Sequence, residues 1–294
     1  MPSYKTHSVH GEIIKPNIKN RIDINTEDLK TFCMGPDALT IPDYRLFEYQ
    51  HANRVREYFT KMLKYIKRNK LQDNDKVMAF LYGQIDHLVL DATMHPLIYY
   101  MTEGIEKKTI FPPHGLVEIW IDDYVDSKYK KNQRIYYRTF HIGDKKLRGL
   151  IDKIYTEVFS SPNSTAKYNI GYLLMTLFDT LLRRNIFGIV KPIIRLYGIG
   201  DFTYSDDYKR VIPFLNKSKE KWFNPETREE YKSSFDELWD NSIELSLETI
   251  NDVNNYLYRD AALNNRLILD DTSYNTGMPC NQGQKLKYIK KWRG

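Results

Sequence analysis

From Tyr44 to Asn69 the apolar residues Phe47, Val55, Phe59, Met62, Leu63 and Ile66 fall mostly at spacings of three, four and eight, the period of a helix with one buried face. Asp75 to His95 continues the pattern with Val77, Phe80, Leu81, Ile85, Leu88 and Val89. His95-Pro96 is expected to end that helix, because a residue before proline avoids the α region. Pro112-Pro113 then opens a helix from His114 to about Ser127. Further helices are expected at about 146–160, 167–187 and 228–258. The last includes SSFDEL, where a Ser followed three residues on by an acid and then by an apolar run has the form of a capping box. The segment 191–226 holds Pro192, Gly198, Gly200, Pro213 and Pro225 and reads as a long loop, and 260–284 as a second irregular stretch. The only strand candidate is Arg134 to Ile142. With no internal repeat and no low-complexity linker, the pattern predicts an all-α chain folded as one domain over residues 1–294.

Composition narrows the class. Of 294 residues, 41% are hydrophobic and 28% charged, which excludes disordered and collagen-like chains. Two cysteines, Cys33 and Cys280, build neither a disulfide scaffold nor a four-cysteine zinc site, so a metal would need histidines and carboxylates. The net charge is +6, with basic clusters at 61–70, 127–134 and 285–294. These are solvated faces and a tail, or surfaces attracted to the phosphates of lipid headgroups or nucleic acid. No motif specific for nucleic-acid binding accompanies them. The opening MPSYKTHSVHGEII lacks the apolar core of a secretory signal. No apolar run is long enough to span a bilayer. The most apolar stretch, Tyr168–Val190, is broken by Asp179, Arg183, Arg184 and Asn185. A cytoplasmic protein is expected.

The chemistry concentrates in QIDHLVLDATMHPLIYY, residues 84–100, where His87, Asp91 and His95 are spaced four and four. At about 100° per residue they share one face within roughly 80°. Their neighbours Leu88, Val89 and Leu90 place that face deep in the protein. Single histidines are commonly packed core groups, but three ionisable side chains on one buried face need a strong compensating partner. A divalent metal supplies it, and imidazoles with a carboxylate suit Zn²⁺. HGLVEIWID repeats the ladder: His114, Glu118 and Asp122 are again four apart among Leu116, Val117, Ile119 and Trp120. Asp122 is a ligand or, preferably, a partner that orients a ligating histidine. His7 lies near the start of the first helix, Asp37 in the turn-forming CMGPDAL, and His51 in EYQHANRV. All three could converge on His87 and Asp91. His10, one turn after His7, competes for its role. His141, in TFHIGD, lies outside any ladder and reads as structural, and Cys33 as simply buried.

This order of residues resembles the bacterial zinc-dependent phospholipase C family, whose all-α fold also includes the single-strand-specific zinc nucleases of fungi and plants. The resemblance is carried by motifs over about residues 1–125. It continues through SSFDELWDNSIELS (233–246) and SYNTGMPC (273–280), within a helical C-terminal portion, 146–294, that is similar to the intracellular branch. It implies up to three zinc ions in a cleft. One would be held by Asp37, His51, His87 and Asp91. A second would share Asp91 as a bridge and take His7 and the N-terminal amine, which is that of Pro2 if the initiator Met is removed. The third would use His95, His114 and Glu118. Only three residues separate Asp91 from His95, fewer than in the secreted members.

The implied activity is hydrolysis of a phosphodiester by a metal-activated water, with Asp37 orienting or deprotonating that water. The expected substrate is a phospholipid, with peripheral contact to a membrane. Two other readings stand beside it. One is a nuclease or nucleotidase on the same metals, for which the 23 tyrosines offer stacking platforms. The other is a catalytically inactive, zinc-binding scaffold protein.

Overall fold

The computed structural model describes residues 4–19, 21–102, 113–129, 141–178, 208–280 and 286–290. Its helices are α1 (Tyr4–Ile14), α2 (Thr26–Phe32), α3 (Tyr44–Ala52), α4 (Val55–Arg68), α5 (Asp75–Thr102), α6 (Pro113–Tyr129), α7 (Lys145–Phe159), α8 (Ser164–Phe178), α9 (Phe235–Arg259) and α10 (Arg266–Leu269). The described sheet is one antiparallel pair, β1 (Trp222–Phe223) with β2 (Glu230–Tyr231). This is an all-α fold, as the periodicity predicts.

The helices start where side chains complete their first turns. Asn25 accepts hydrogen bonds from the backbone N–H groups of Glu27 and Asp28 at α2, and Asp144 from that of Leu147 at α7. At α9 the capping box is complete: the Ser234 hydroxyl accepts from the Glu237 N–H, while the Glu237 carboxylate accepts from the Ser234 N–H. The helix therefore begins at Phe235 rather than at 228.

α5 is the axis of the molecule, buried over almost all of its 28 residues. It is apolar around its circumference because α1, α2, α6, α7 and α9 all pack on it. Two apolar clusters meet along it. The larger gathers Val77, Phe80, Leu81, Ile85, Leu88 and Val89 with the buried stripes of α4 and α7. The other gathers Leu90, Met94, Leu97 and Ile98 with Val117 and Ile121 of α6 and with Trp222 and Trp239. His87, Asp91 and His95 lie along this seam. Tyr58, Tyr82, Tyr155, Tyr168, Tyr172 and Tyr274 are fully buried in this packing, which withdraws them as platforms for nucleic-acid bases.

Three expectations are corrected. The helix at Asp75 does not stop at His95 but continues through Pro96 to Thr102. Proline has no N–H to offer the Ala92 carbonyl, and Gly277 packs against that oxygen instead: a Cβ at 277 would lie 2.6 Å from it. The single helix expected over 44–69 is two, broken at Asn53-Arg54, where Arg54 adopts φ 58°. The stretch 260–284 carries the short helix α10. The strand expected at 134–142 falls, except for His141 and Ile142, outside the described residues. So do the helix beyond residue 178 and the first part of the loop expected from 191.

Candidate metal centre

Four helices and one turn bring their polar side chains to a single buried point. α5 contributes His87, Asp91 and His95, α1 contributes His7, α3 contributes His51 and α6 contributes Glu118, while Asp37 comes from the 3₁₀ turn Gly35–Leu39. All seven are buried. Asp91 stands in the middle. Its Oδ1 is 3.2 Å from His7 Nε2 and 3.7 Å from His95 Nε2. Its Oδ2 is 3.1 Å from His87 Nε2 and 3.6 Å from His51 Nε2. Asp37 Oδ1 lies 3.2 Å from His51 Nε2 and 3.7 Å from His87 Nε2. Glu118 Oε1 lies 3.4 Å from His95 Nε2. The His7 and His87 rings stack at 4.1 Å.

Three of the imidazoles are held by backbone carbonyls. His51 Nδ1 donates to the Phe47 carbonyl at 2.8 Å, His87 Nδ1 to that of Cys33 at 3.0 Å and His95 Nδ1 to that of Tyr274 at 2.8 Å. A carbonyl only accepts, so Nδ1 of each ring carries a proton, and Nε2, the atom left to bind a metal, points toward Asp91. This is the arrangement that prepares a histidine as a metal ligand.

A family model for zinc-dependent phospholipase C matches residues 6–169, more than half of the chain and a range that contains every one of these side chains. The chain belongs to that family. Comparison with curated proteins and with solved structures gives no match.

Zinc is the cofactor of a zinc-dependent phospholipase C, and the residues present fit it. Bonds of about 2.0–2.1 Å in a tetrahedral shell put donor atoms about 3.3 Å apart, within the 3.1–3.7 Å range observed here. His7, Asp37 and His87, and likewise His51, His87 and Asp91, each place one donor atom within 4.8 Å of the others. Both nitrogens of His7, Nε2 of His51, His87 and His95, and both oxygens of Asp37 and Asp91 are buried without a hydrogen-bond partner. Buried polar atoms are normally paired, and so many convergent exceptions mark the place of a cation. Electrostatics agree. Burial disfavours the charged form of Asp91, yet the imidazoles of His87, His95 and His7 outweigh it and hold the carboxyl well below its usual range. Burial lowers His7, aided by the neighbouring His87. Burial acts the same way on His51, but the Asp37 and Asp91 carboxylates overcome it and push that ring up to about 9.

Other residues of this phospholipase C family member flank that point, support it indirectly or lie apart from it. His114 is half-buried one turn before Glu118, with its ring against Tyr99 at 4.8 Å. Asp122, expected to orient a site histidine, does so through the backbone: it accepts from the Thr6 N–H at 2.9 Å and from the Thr6 hydroxyl at 2.7 Å, anchoring the turn that carries His7. His10 does not compete with His7. Its Nδ1 is 2.7 Å from Asp86 Oδ1 and its Nε2 is 2.9 Å from the Ser242 hydroxyl, a separate buried hub. His141 is exposed beside Asn169, 3.1 Å away. Cys33 is buried; burial and the adjacent Asp86 push its thiol well above the usual range. The N-terminal amine and Pro2 lie outside the described residues.

Sequence reasoning missed Tyr274. Its N–H donates to the His51 carbonyl at 3.0 Å, its own carbonyl accepts from His95, and its ring lies 5.0 Å from that of His51. The segment therefore ties two helices of the site together. It acts mainly through main-chain atoms, which every residue type has, so no side-chain pattern announces it.

Proposed function

We propose that this chain is a phosphodiesterase that cleaves a phospholipid between the glycerol oxygen and phosphorus. Water is the second substrate, and the products are a diacylglycerol-like alcohol and a phosphorylated headgroup. The observation that carries the reading is the division of Asp91: one oxygen faces His7 and His95, the other His87 and His51. A carboxylate with imidazoles at both oxygens is built to bridge two cations. The proposed ligands are Asp37, His51, His87 and Asp91 for one zinc, Asp91 and His7 for a second, and His95, His114 and Glu118 for a third. Bound there, zinc supplies Lewis acidity toward phosphoryl oxygens and a water acidic enough to ionise near neutral pH.

The chain's own groups do the rest. The carbonyls of Phe47, Cys33 and Tyr274 hold three imidazoles by Nδ1 with Nε2 turned inward, the orientation in which the unprotonated ring would bind a metal. Surrounding imidazoles outweigh the burial of Asp37 and hold its carboxyl below the usual range, so it stays ionised and can accept the proton of the attacking water. The apolar seam of the two cores excludes bulk water and strengthens each charge interaction inside it.

Purified protein would be assayed with phosphatidylcholine vesicles, a soluble chromogenic phosphocholine ester, single-stranded DNA and nucleoside monophosphates, each with and without chelator. Chelator-sensitive release from the phosphocholine compounds alone is expected. Release only from DNA or nucleotides would replace the substrate class, and zinc binding without any release would leave a scaffold. Asp91→Asn should lower bound zinc and reduce turnover by more than the roughly 10–100-fold typical of losing an outer partner of a ligand. Full zinc content with full activity in that variant would overturn the ligand assignment.

A further inference from the structure

The metal centre makes no use of the basic run at 61–70. Its helix, α4, turns Phe59, Met62, Leu63 and Ile66 into the core. Lys61, Lys64 and Arg68 follow at steps of three and four on the opposite face, within an arc of roughly 60° and over about 10 Å of axis. Beside them α4, α7 and α9 leave an open groove of about 500 Å³, the size of a small-molecule site. Ile154 of α7 and the rings of Tyr65 and Tyr256 give it an apolar side, and Lys61, Lys64, Lys67 and Arg68 give it its charge. None of the side chains that converge on Asp91 lines it. Two of the four cations are held in place. Lys61 Nζ pairs with Glu57 at 2.9 Å. Lys67 Nζ donates to the Tyr256 carbonyl at 2.8 Å and pairs with Asp260 at 2.7 Å. The acid of the lining, Glu157, is taken by Lys153 at 2.8 Å. Lys64 and Arg68 are exposed and, among the described residues, have no carboxylate in ion-pairing range. Helix polarity accounts for cations in the last turn, Lys67 and Arg68, but not for Lys61 and Lys64. Like charges at these spacings repel one another, and an anion seated between them relieves that repulsion.

We propose that this groove is a second binding site, separate from the metal centre, for the dianion of a phosphate monoester. Charge selects the ligand. A phosphate monoester carries about two negative charges at neutral pH, matching the two cations left without a carboxylate, whereas a phosphodiester carries one. Geometry agrees with it. The Arg68 guanidinium is a planar fork suited to two phosphate oxygens, and Lys64, one turn before it, adds a point charge. Ile154, Tyr65 and Tyr256 offer apolar surface to the organic part of the ester. The proposed reaction turns a diester into a phosphorylated headgroup, which is a monoester. On that reading, the groove recognises product and not substrate; the binding itself does not depend on it.

The test is titration calorimetry with phosphocholine on the wild type and on Lys64→Gln/Arg68→Gln, each zinc-loaded and again with chelator. Zinc also takes phosphate, so the loaded wild type should show two binding events, of which chelator removes one and the double variant the other. Each cation removed should weaken the groove event roughly tenfold, the effect of losing one charge-assisted hydrogen bond. Zinc content, urea midpoint and turnover of the soluble ester should be unchanged, because both side chains are exposed. Glycerophosphocholine, a diester, should bind the groove at least tenfold more weakly than phosphocholine. Cosedimentation with phosphatidylcholine vesicles, with and without phosphatidic acid and in chelator, identifies the source of the monoester. Phosphocholine binding marks a free ester, and binding to phosphatidic acid vesicles alone, lost in the double variant, marks a lipid headgroup. A wild type that binds neither, a double variant within twofold of wild type, or a diester bound as tightly as the monoester would each overturn the proposal. A groove event in protein that cleaves no phosphodiester would leave the site standing and remove the phospholipase reading. Metal-dependent cleavage without any event that depends on Lys64 and Arg68 would do the reverse.

Discussion

Replacing Asp86 by alanine separates the two buried carboxylates of α5. Asp86 lies one residue before His87, yet it faces a different set of partners. Its Oδ1 accepts from His10 at 2.7 Å and from the Ser246 hydroxyl at 2.8 Å, while His10 reaches Ser242 at 2.9 Å. Every member of this hub is buried. It joins α1, α5 and α9, and so sets the position of α1 against the helix that carries most of the site. Asp86→Ala leaves the His10 ring N–H and the Ser246 hydroxyl without an acceptor. Each orphaned donor costs about 1–3 kcal/mol, so the loss should be about 2–6 kcal/mol. Urea unfolding of wild type and variant, with saturating zinc and with chelator, would measure it. A loss of this size in both states is expected, with zinc per chain unchanged at saturation. A variant within 1 kcal/mol of wild type would refute the structural role of the hub. A variant of wild-type stability that no longer binds zinc would make Asp86 a ligand and undo the separation of His10 from His7.

The chelated protein should become less stable as pH rises through the alkaline range. Burial lowers the pKa of His51, but Asp37 and Asp91 raise it to about 9 in the folded chain, against about 6.5 unfolded. Its contribution is therefore full below about 6.5 and lost as pH rises through 9, a total of about 3 kcal/mol. Urea midpoints of chelated protein that stay flat or rise over that window would contradict the placement of His51, whereas zinc binding, which needs neutral imidazole, should strengthen over the same window. Gly171→Ala should cost at least the roughly 1–3 kcal/mol of an overpacked core, because the new methyl would meet the Ala38 backbone and α8 would have to lift. Thermal melts would show it, and a neutral outcome would mean that α8 does not sit on the turn that carries Asp37.

Much of the metal centre was legible because it follows helical period. His87, Asp91 and His95 share a face by spacing alone, as do His114 and Glu118, and the apolar residues between them require that the first ladder be buried. That period also predicts an all-α chain, and capping chemistry locates the start of α9 once Ser234 and Glu237 are taken as the box. Local rules misled where a distant partner changed the local balance. Pro96 is an accurate warning that a helix hydrogen bond is missing, but not that the helix ends, because Gly277 and the packing around α5 make the interruption tolerable.

What the sequence determined by itself was which residue types recur at which period, and therefore the helices, their buried faces and the donor set suited to zinc. What only the tertiary structure decided was direction. His7 and His10 stand one turn apart on α1, yet one meets Asp91 and the other Asp86, because α1 packs on α5 at an angle that no local pattern encodes. Tyr274 holds His51 and His95 through its main chain, and Ile170, Leu173 and Leu177 of α8 face outward although such residues suit a core. The physical reason is common to these cases. Periodicity acts within one element, whereas the partner of a side chain is set by how elements cross, and that depends on the packing of the whole chain.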